Sequence, residues 1–278
     1  MRGSLRALLI LAVLPSLLAA THAQQPDQRV SDIVQAGKIR VGLHLPQFKK
    51  DPVTGEIHGS GTGAMIEPIA QALAERIGVK LELLGHKSPP VLVDCLKEAA
   101  CDMGFLGYVP ARASDVGYAP PHMIIPFTFM VAPGSEAQSI ADLDKAGTRI
   151  AAVRNHASTI ALNKLIKHAE IVGVEIPEEA FDLVRAGKAD AWASPRPPLL
   201  VELPKLPGAR VLDGHYGANI QAMAVPKQKI ARLDYVAQFV EEAKVSGLLQ
   251  RIIDKYGEPG VEVAPRDPEI LTGSVPAR

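Results

Sequence analysis

Hydrophobic and polar positions along this chain alternate between a period of two and a period near 3.6. Positions 38–44, Lys-Ile-Arg-Val-Gly-Leu-His, alternate as a strand does. Positions 45–62 are rich in Gly and Pro and read as a loop. Positions 63–77 place Ile66, Ile69, Ala70, Leu73 and Ile77 at helical spacing, and Gly78 ends the run. A strand over 79–84 follows. A short helix over 90–99 turns Val91, Leu92, Cys95 and Leu96 inward. Positions 101–108 read as a buried strand relaxed by Gly104 and Gly107, and Arg112 follows on a Val-Pro-Ala-Arg turn. The order is β-α-β-α-β, the pattern of a parallel sheet with crossover helices.

Positions 123–131 are apolar on both faces and lead elsewhere as a long buried strand. A second β-α-β run then begins. Its helices are expected over 139–147, 158–168, 177–186 and 196–202, its strands over 149–154, 169–175, 189–194 and 209–213. Ser139 opens the first helix as a cap, and Pro177 sits in the first turn of the third. Positions 220–225 return the chain. Two amphipathic helices close it, over 230–244 and over 248–256. The expectation is an α/β protein of two lobes joined by two crossover strands, lobe 1 over 24–130 plus 225–278 and lobe 2 over 131–224. Such a layout leaves a cleft, and clefts between domains are where small ligands bind.

Composition narrows the class. Lys plus Arg and Asp plus Glu each number 30, so no net charge points to nucleic acid, and aromatics are only 4%. Residues 1–23 carry Arg2 and Arg6, an apolar run over 7–20, and Thr21-His22-Ala23 with small residues at −3 and −1. That is a secretory signal peptide, expected to be cleaved after Ala23, and it places the mature chain in the periplasm. Cys95 and Cys101 are the two cysteines, and an oxidising compartment favours a disulfide between them. No histidine or further cysteine stands at metal-ligand spacing beside them, so neither a metal nor a cofactor is expected.

Several segments, in order, resemble one family. Lys38-Ile39-Arg40-Val41-Gly42 is similar to its first strand, and Gly63 to Ala74 to its first helix. Leu96 to Asp102 followed by Val109-Pro110-Ala111-Arg112-Ala113 resembles its Asp-strand and Thr-Pro-Glu-Arg-Ala segment. Ser139-Ile140-Ala141-Asp142-Leu143, Arg149 to Val153, Leu183 to Asp190 and Ser246 to Tyr256 resemble later pieces. The family is the bacterial extracellular solute-binding proteins of family 3, which deliver polar amino acids and related solutes to ABC importers. The resemblance spans about residues 30 to 262. It implies a bilobed periplasmic-binding-protein fold, an ABC permease in the inner membrane as partner, and a monomer.

In amino-acid binders of this family the arginine of the Thr-Pro-Glu-Arg turn clamps the ligand's carboxylate, a role that falls here to Arg112. A guanidinium fork matches two carboxylate oxygens. Departures matter as much. Leu45 stands where a stacking ring is expected, with Phe48 beyond it, and Pro195 stands where an acid would meet the ligand's ammonium, beside Arg196. A cleft lacking that acid has nothing to offset desolvation of an ammonium. In lobe 2, Arg154-Asn155-His156-Ala157-Ser158-Thr159 joins a strand to a helix, and its free N–H groups and hydroxyls can hold negative charge, unless Asn155 or Ser158 is simply the helix cap. The expected ligand contacts are Phe48, Phe105, Gly107, Tyr108, Arg112, Arg154, Ser158, Thr159 and Arg196. With arginines in both lobes and no evident acid, the expected ligand is a small organic anion. An accessory or sensory binding protein is the alternative reading. A dehydratase-type enzyme on the same fold would need Glu67 or His44 as its acid or base, and both have ready structural roles.

Overall fold

The computed structural model describes residues 27–44, 48–59 and 63–266; the expected signal peptide over 1–23 and Leu45 lie outside them. The chain order is α1 (Ser31–Ala36), β1 (Lys38–His44), β2 (Phe48–Lys50), β3 (Ile57–Gly59), α2 (Gly63–Ile77), β4 (Lys80–His86), α3 (Pro89–Lys97), β5 (Met103–Gly107), a 3-10 turn (Pro110–Ser114) and β6 (Val116–Val131). It continues through α4 (Ile140–Leu143), β7 (Arg149–Val153), α5 (Ala157–Leu165), β8 (Glu170–Val174), α6 (Pro177–Arg185), β9 (Ala191–Pro195), α7 (Arg196–Glu202) and β10 (Arg210–Val211). It closes with β11 (Gly217–Pro226), α8 (Ile230–Val245), α9 (Leu248–Tyr256) and β12 (Glu262–Val263).

The sheet runs β4-β1-β5-β11-β6-β9-β7-β8. In the first lobe β1 lies between β4 and β5, all parallel. In the second β7 lies between β8 and β9, again parallel. The two sets meet through the antiparallel crossing strands β11 and β6. Each parallel set therefore points its C-terminal ends toward the same stretch of crossing strand. Gly107, the last residue of β5, lies opposite Gln221, and Gln221 opposite Met123. Pro195, the last residue of β9, lies opposite Phe127. Four residues along β6 separate the two tiers, about 13 Å at the usual strand rise.

Packing follows the same division. Apolar faces of β1, α2, β5, α8 and α9 bury Ile39, Leu43, Ile69, Leu73, Met103, Phe239 and Ile252 in one core that reaches Ile125 on β6. From Phe127 onward the side chains of β6 join a different core with Ile150, Leu162 and Tyr216. Trp192 and Phe181 fill the other face of the second sheet.

Several elements differ from the sequence expectation. β6 starts at Val116 rather than 123, running through Pro120 and Pro121 where its ladder with β11 shifts register. β2 and β3 pair as a hairpin within the Gly/Pro-rich stretch. α4 stops at Leu143, since Asp144 leaves helical geometry and its carboxylate accepts the N–H groups of Lys167, His168 and Ala169. Cys95 and Cys101 are joined, with Cα atoms 5.3 Å apart, tying the end of α3 to the start of β5.

Candidate ligand-binding site

Pro110 opens the 3-10 turn after β5, where its missing N–H costs nothing. The turn carries Arg112 half-buried at the lobe 1 tier. Its Nη1 donates to the Gly107 carbonyl at 3.2 Å. The Tyr118 hydroxyl donates to the same oxygen at 3.3 Å. Tyr108 meets Tyr118 edge-on, ring centres 5.1 Å apart. One corner of the guanidinium is thus anchored, and among the described residues Arg112 enters no ion pair. Burial raises the Tyr118 phenol above its ordinary range, against the pull of Arg112. His44 ends β1 opposite His86 on β4. Burial, then the nearby Arg112 charge, hold its imidazole below the ordinary value. At neutral pH the tier offers one fixed cation and uncharged hydrogen-bonding groups.

The crossing strand completes this side. Gln221, 7% exposed, donates from Nε2 to Asn219 Oδ1 at 3.1 Å, and both side chains lie beside Gly107. Neither residue, nor Tyr118, was singled out from the sequence. Their nearness to Arg112 is a cross-strand fact, and no local spacing carries it.

In lobe 2 the cap of α5 is His156, not Asn155 or Ser158: its Nδ1 accepts the Ser158 N–H at 3.3 Å and lies 2.8 Å from Ser158 Oγ. Thr159 Oγ1 donates to the Val153 carbonyl at 2.7 Å. The Ser158 and Thr159 side chains are 2% and 6% exposed. Their hydroxyls serve the local turn, so the backbone at this helix start, rather than those hydroxyls, is what remains for an anion. Asn155 adopts φ 59°, which turns the strand sharply into the helix.

The other expected residues fall elsewhere. Phe48 and Phe105 belong to the lobe 1 core, and Phe105 packs edge-on against His122. Arg154 pairs with Glu175 at 2.6 Å and lays its stem over Gly173. Arg196 reaches the Asp213 carbonyl at 3.1 Å and its carboxylate at 3.5 Å. The expectation of arginines without matching acids is therefore corrected for these two, whose partners come from distant positions. Pro195 ends β9 with no carboxylate in its place, and the acid that follows β8, Glu175, is engaged by Arg154. Glu67, on the first turns of α2, accepts the Gly59 N–H at 3.3 Å, a structural role.

The sequence profile of the bacterial extracellular solute-binding proteins, family 3, matches residues 49–259. No curated protein matches. Solved structures do. An ancestral cationic amino acid solute-binding protein shares 23% identity, covers 82% of this chain and 99% of its own, with a TM-score of 0.61. An ancestral cyclohexadienyl dehydratase shares 24%, covers 82% and 95%, at 0.59. A binding component of an ABC transporter from Wolinella succinogenes, solved with lysine, shares 23%, covers 79% and 95%, at 0.55. At such identities the likeness establishes the bilobed fold. Two parallel strand sets facing one stretch of crossing strand, a matched profile over most of the length and an arginine-bearing turn at the strand ends converge: the chain belongs to the bacterial extracellular solute-binding proteins, family 3.

Proposed function

We propose that this protein captures a small anionic solute between its lobes, in the periplasm, and presents it to an ABC permease. The observation that carries this is Arg112: a half-buried guanidinium held by the Gly107 carbonyl, without an acid partner among the described residues. A cation of that kind is completed by a ligand carboxylate. The backbone N–H groups at the start of α5 are the proposed second contact, from the opposite lobe. The absent acid at Pro195 and the engaged Glu175 argue against a ligand ammonium. Lobe 1 is taken as 24–130 plus 225–278 and lobe 2 as 131–224, with 1–23 removed on export and the mature protein a monomer.

Calorimetry of the mature protein against organic acids, neutral solutes and amino acids tests the reading. Binding of a carboxylate that Arg112→Gln weakens by a hundredfold or so, about 3 kcal/mol, is the expected result. Tight binding of lysine or arginine, as in the solved lysine complex of the Wolinella protein, would overturn it.

A further inference from the structure

Asn219 stands at a telling place. It lies on β11 opposite Ile125 of β6. That register is midway between Met123, level with the end of β5, and Phe127, level with the end of β9. The side chain is exposed. Its neighbour two residues on, Gln221, is buried and spends Nε2 on Asn219 Oδ1 at 3.1 Å. The oxygen is occupied from within, and Nδ2 with its two hydrogens is left outward. The nearest cationic group of the tier, Arg112, is likewise a donor with no acceptor capacity.

We infer that the Asn219–Gln221 pair is a specificity device: it presents donors to the part of the solute next to the carboxylate, and so selects oxygen there over an ammonium. The preferred class is a 2-oxo or 2-hydroxy carboxylic acid. This rests on the reading that Arg112 holds the carboxylate. Oxo and hydroxyl groups supply lone pairs to Asn219 Nδ2. An ammonium has none, and would set donor against donor in a site whose strand ends carry no unengaged acid among the described residues. The pair also sits on a strand that crosses between lobes, so its engagement reports directly to the crossing. Asn219→Asp replaces the outward donors by an acceptor with negative charge, which reverses the preference.

Two matched series provide the test: 2-oxoglutarate, glutarate and L-glutamate, and L-malate, succinate and L-aspartate. Within each, only the group at C2 changes. For the wild type the oxo or hydroxy member is expected to bind most tightly and the amino member at least about tenfold more weakly than it. Asn219→Asp is expected to invert that order and, by keeping an acceptor for Gln221 Nε2, to leave the melting temperature near that of the wild type; Asn219→Ala is expected to flatten the order and to lower the melting temperature slightly, since it strips that acceptor from a buried amide. Tightest wild-type binding of the amino member, an order untouched by both variants, or binding of none of the six overturns the inference. Arg112→Gln separates the two claims: undiminished binding in that variant overturns the carboxylate clamp itself, whereas loss of binding alongside an indifferent Asn219 leaves the clamp standing and removes the specificity device.

Discussion

His122 shows how much one buried side chain can determine. It is fully buried on β6, neither ring nitrogen has a hydrogen-bond partner among the described residues, and its ring meets Phe105 edge-on. Burial, then the Lys244 charge, lower its pKa from 6.5 to about 3. The sign follows directly. Between those values the unfolded chain binds a proton that the folded one refuses, so stability is lost as pH falls below 6.5 and the loss is complete near 3. A gap of that size is worth about 2 kcal/mol at pH 5. His122→Leu should therefore flatten the acid limb of a denaturation-versus-pH curve while matching the wild type within about 1 kcal/mol at pH 8. Parallel acid limbs in the two proteins would show that the imidazole is not the proton acceptor. At this scale the placement of the candidate residues was partly legible. Arg112 could be read because the turn that carries it is local. The partners of Arg154 and Arg196 could not, since Glu175 and Asp213 lie 21 and 17 positions away and reach them only through strand neighbours.

At the scale of elements, β1, α2, α7 and α9 have the bounds expected from the sequence, and in α2 and α9 the reason is plain: an apolar stripe that stops at Gly78 and at Gly257. β6 was harder. Two prolines remove ladder donors, and only the partner strand shows that the strand continues through them. β12 pairs with β6 over two residues, too short for any pattern. The disulfide gives a prediction here. It closes a six-residue separation between α3 and β5, and within it Ala99 holds φ 53°, a left-handed conformation. In the chain-entropy picture a loop of that size contributes about 2 kcal/mol. Cys95→Ser with Cys101→Ser should lower the denaturation midpoint by that order, with amide exchange rising first in Pro89–Lys97. Ala99→Gly relieves the left-handed residue and should offset about 0.5 to 1 kcal/mol of the loss. Equal midpoints for the bridged and unbridged proteins would mean that packing of Leu92 and Leu96 alone seats the helix.

For the whole molecule, the two lobes are joined by more than the crossing strands foreseen from sequence. The segment after α9 leaves the lobe 1 helices, pairs through β12 with β6, and passes against α7 of lobe 2. The contact is close. Gly260 has φ +86°, and a Cβ added there would lie 2.8 Å from Arg196 Cγ. Arg196, expected to touch ligand, here lays its stem on this segment while its guanidinium reaches the Asp213 carbonyl. Any change in the angle between lobes must slide these surfaces past one another. Gly260→Ala adds a left-handed cost of about 1 to 2 kcal/mol and a clash with the stem. Hydrogen exchange should then quicken in 196–203 and 258–264 while β1 and β7 keep their protection. Adding Arg196→Ala removes the obstructing stem, and should restore part of that protection without restoring the backbone cost. Exchange that rises evenly across both sheets would instead make Gly260 a determinant of global stability. No change at the seam would mean the two surfaces are not in contact in solution.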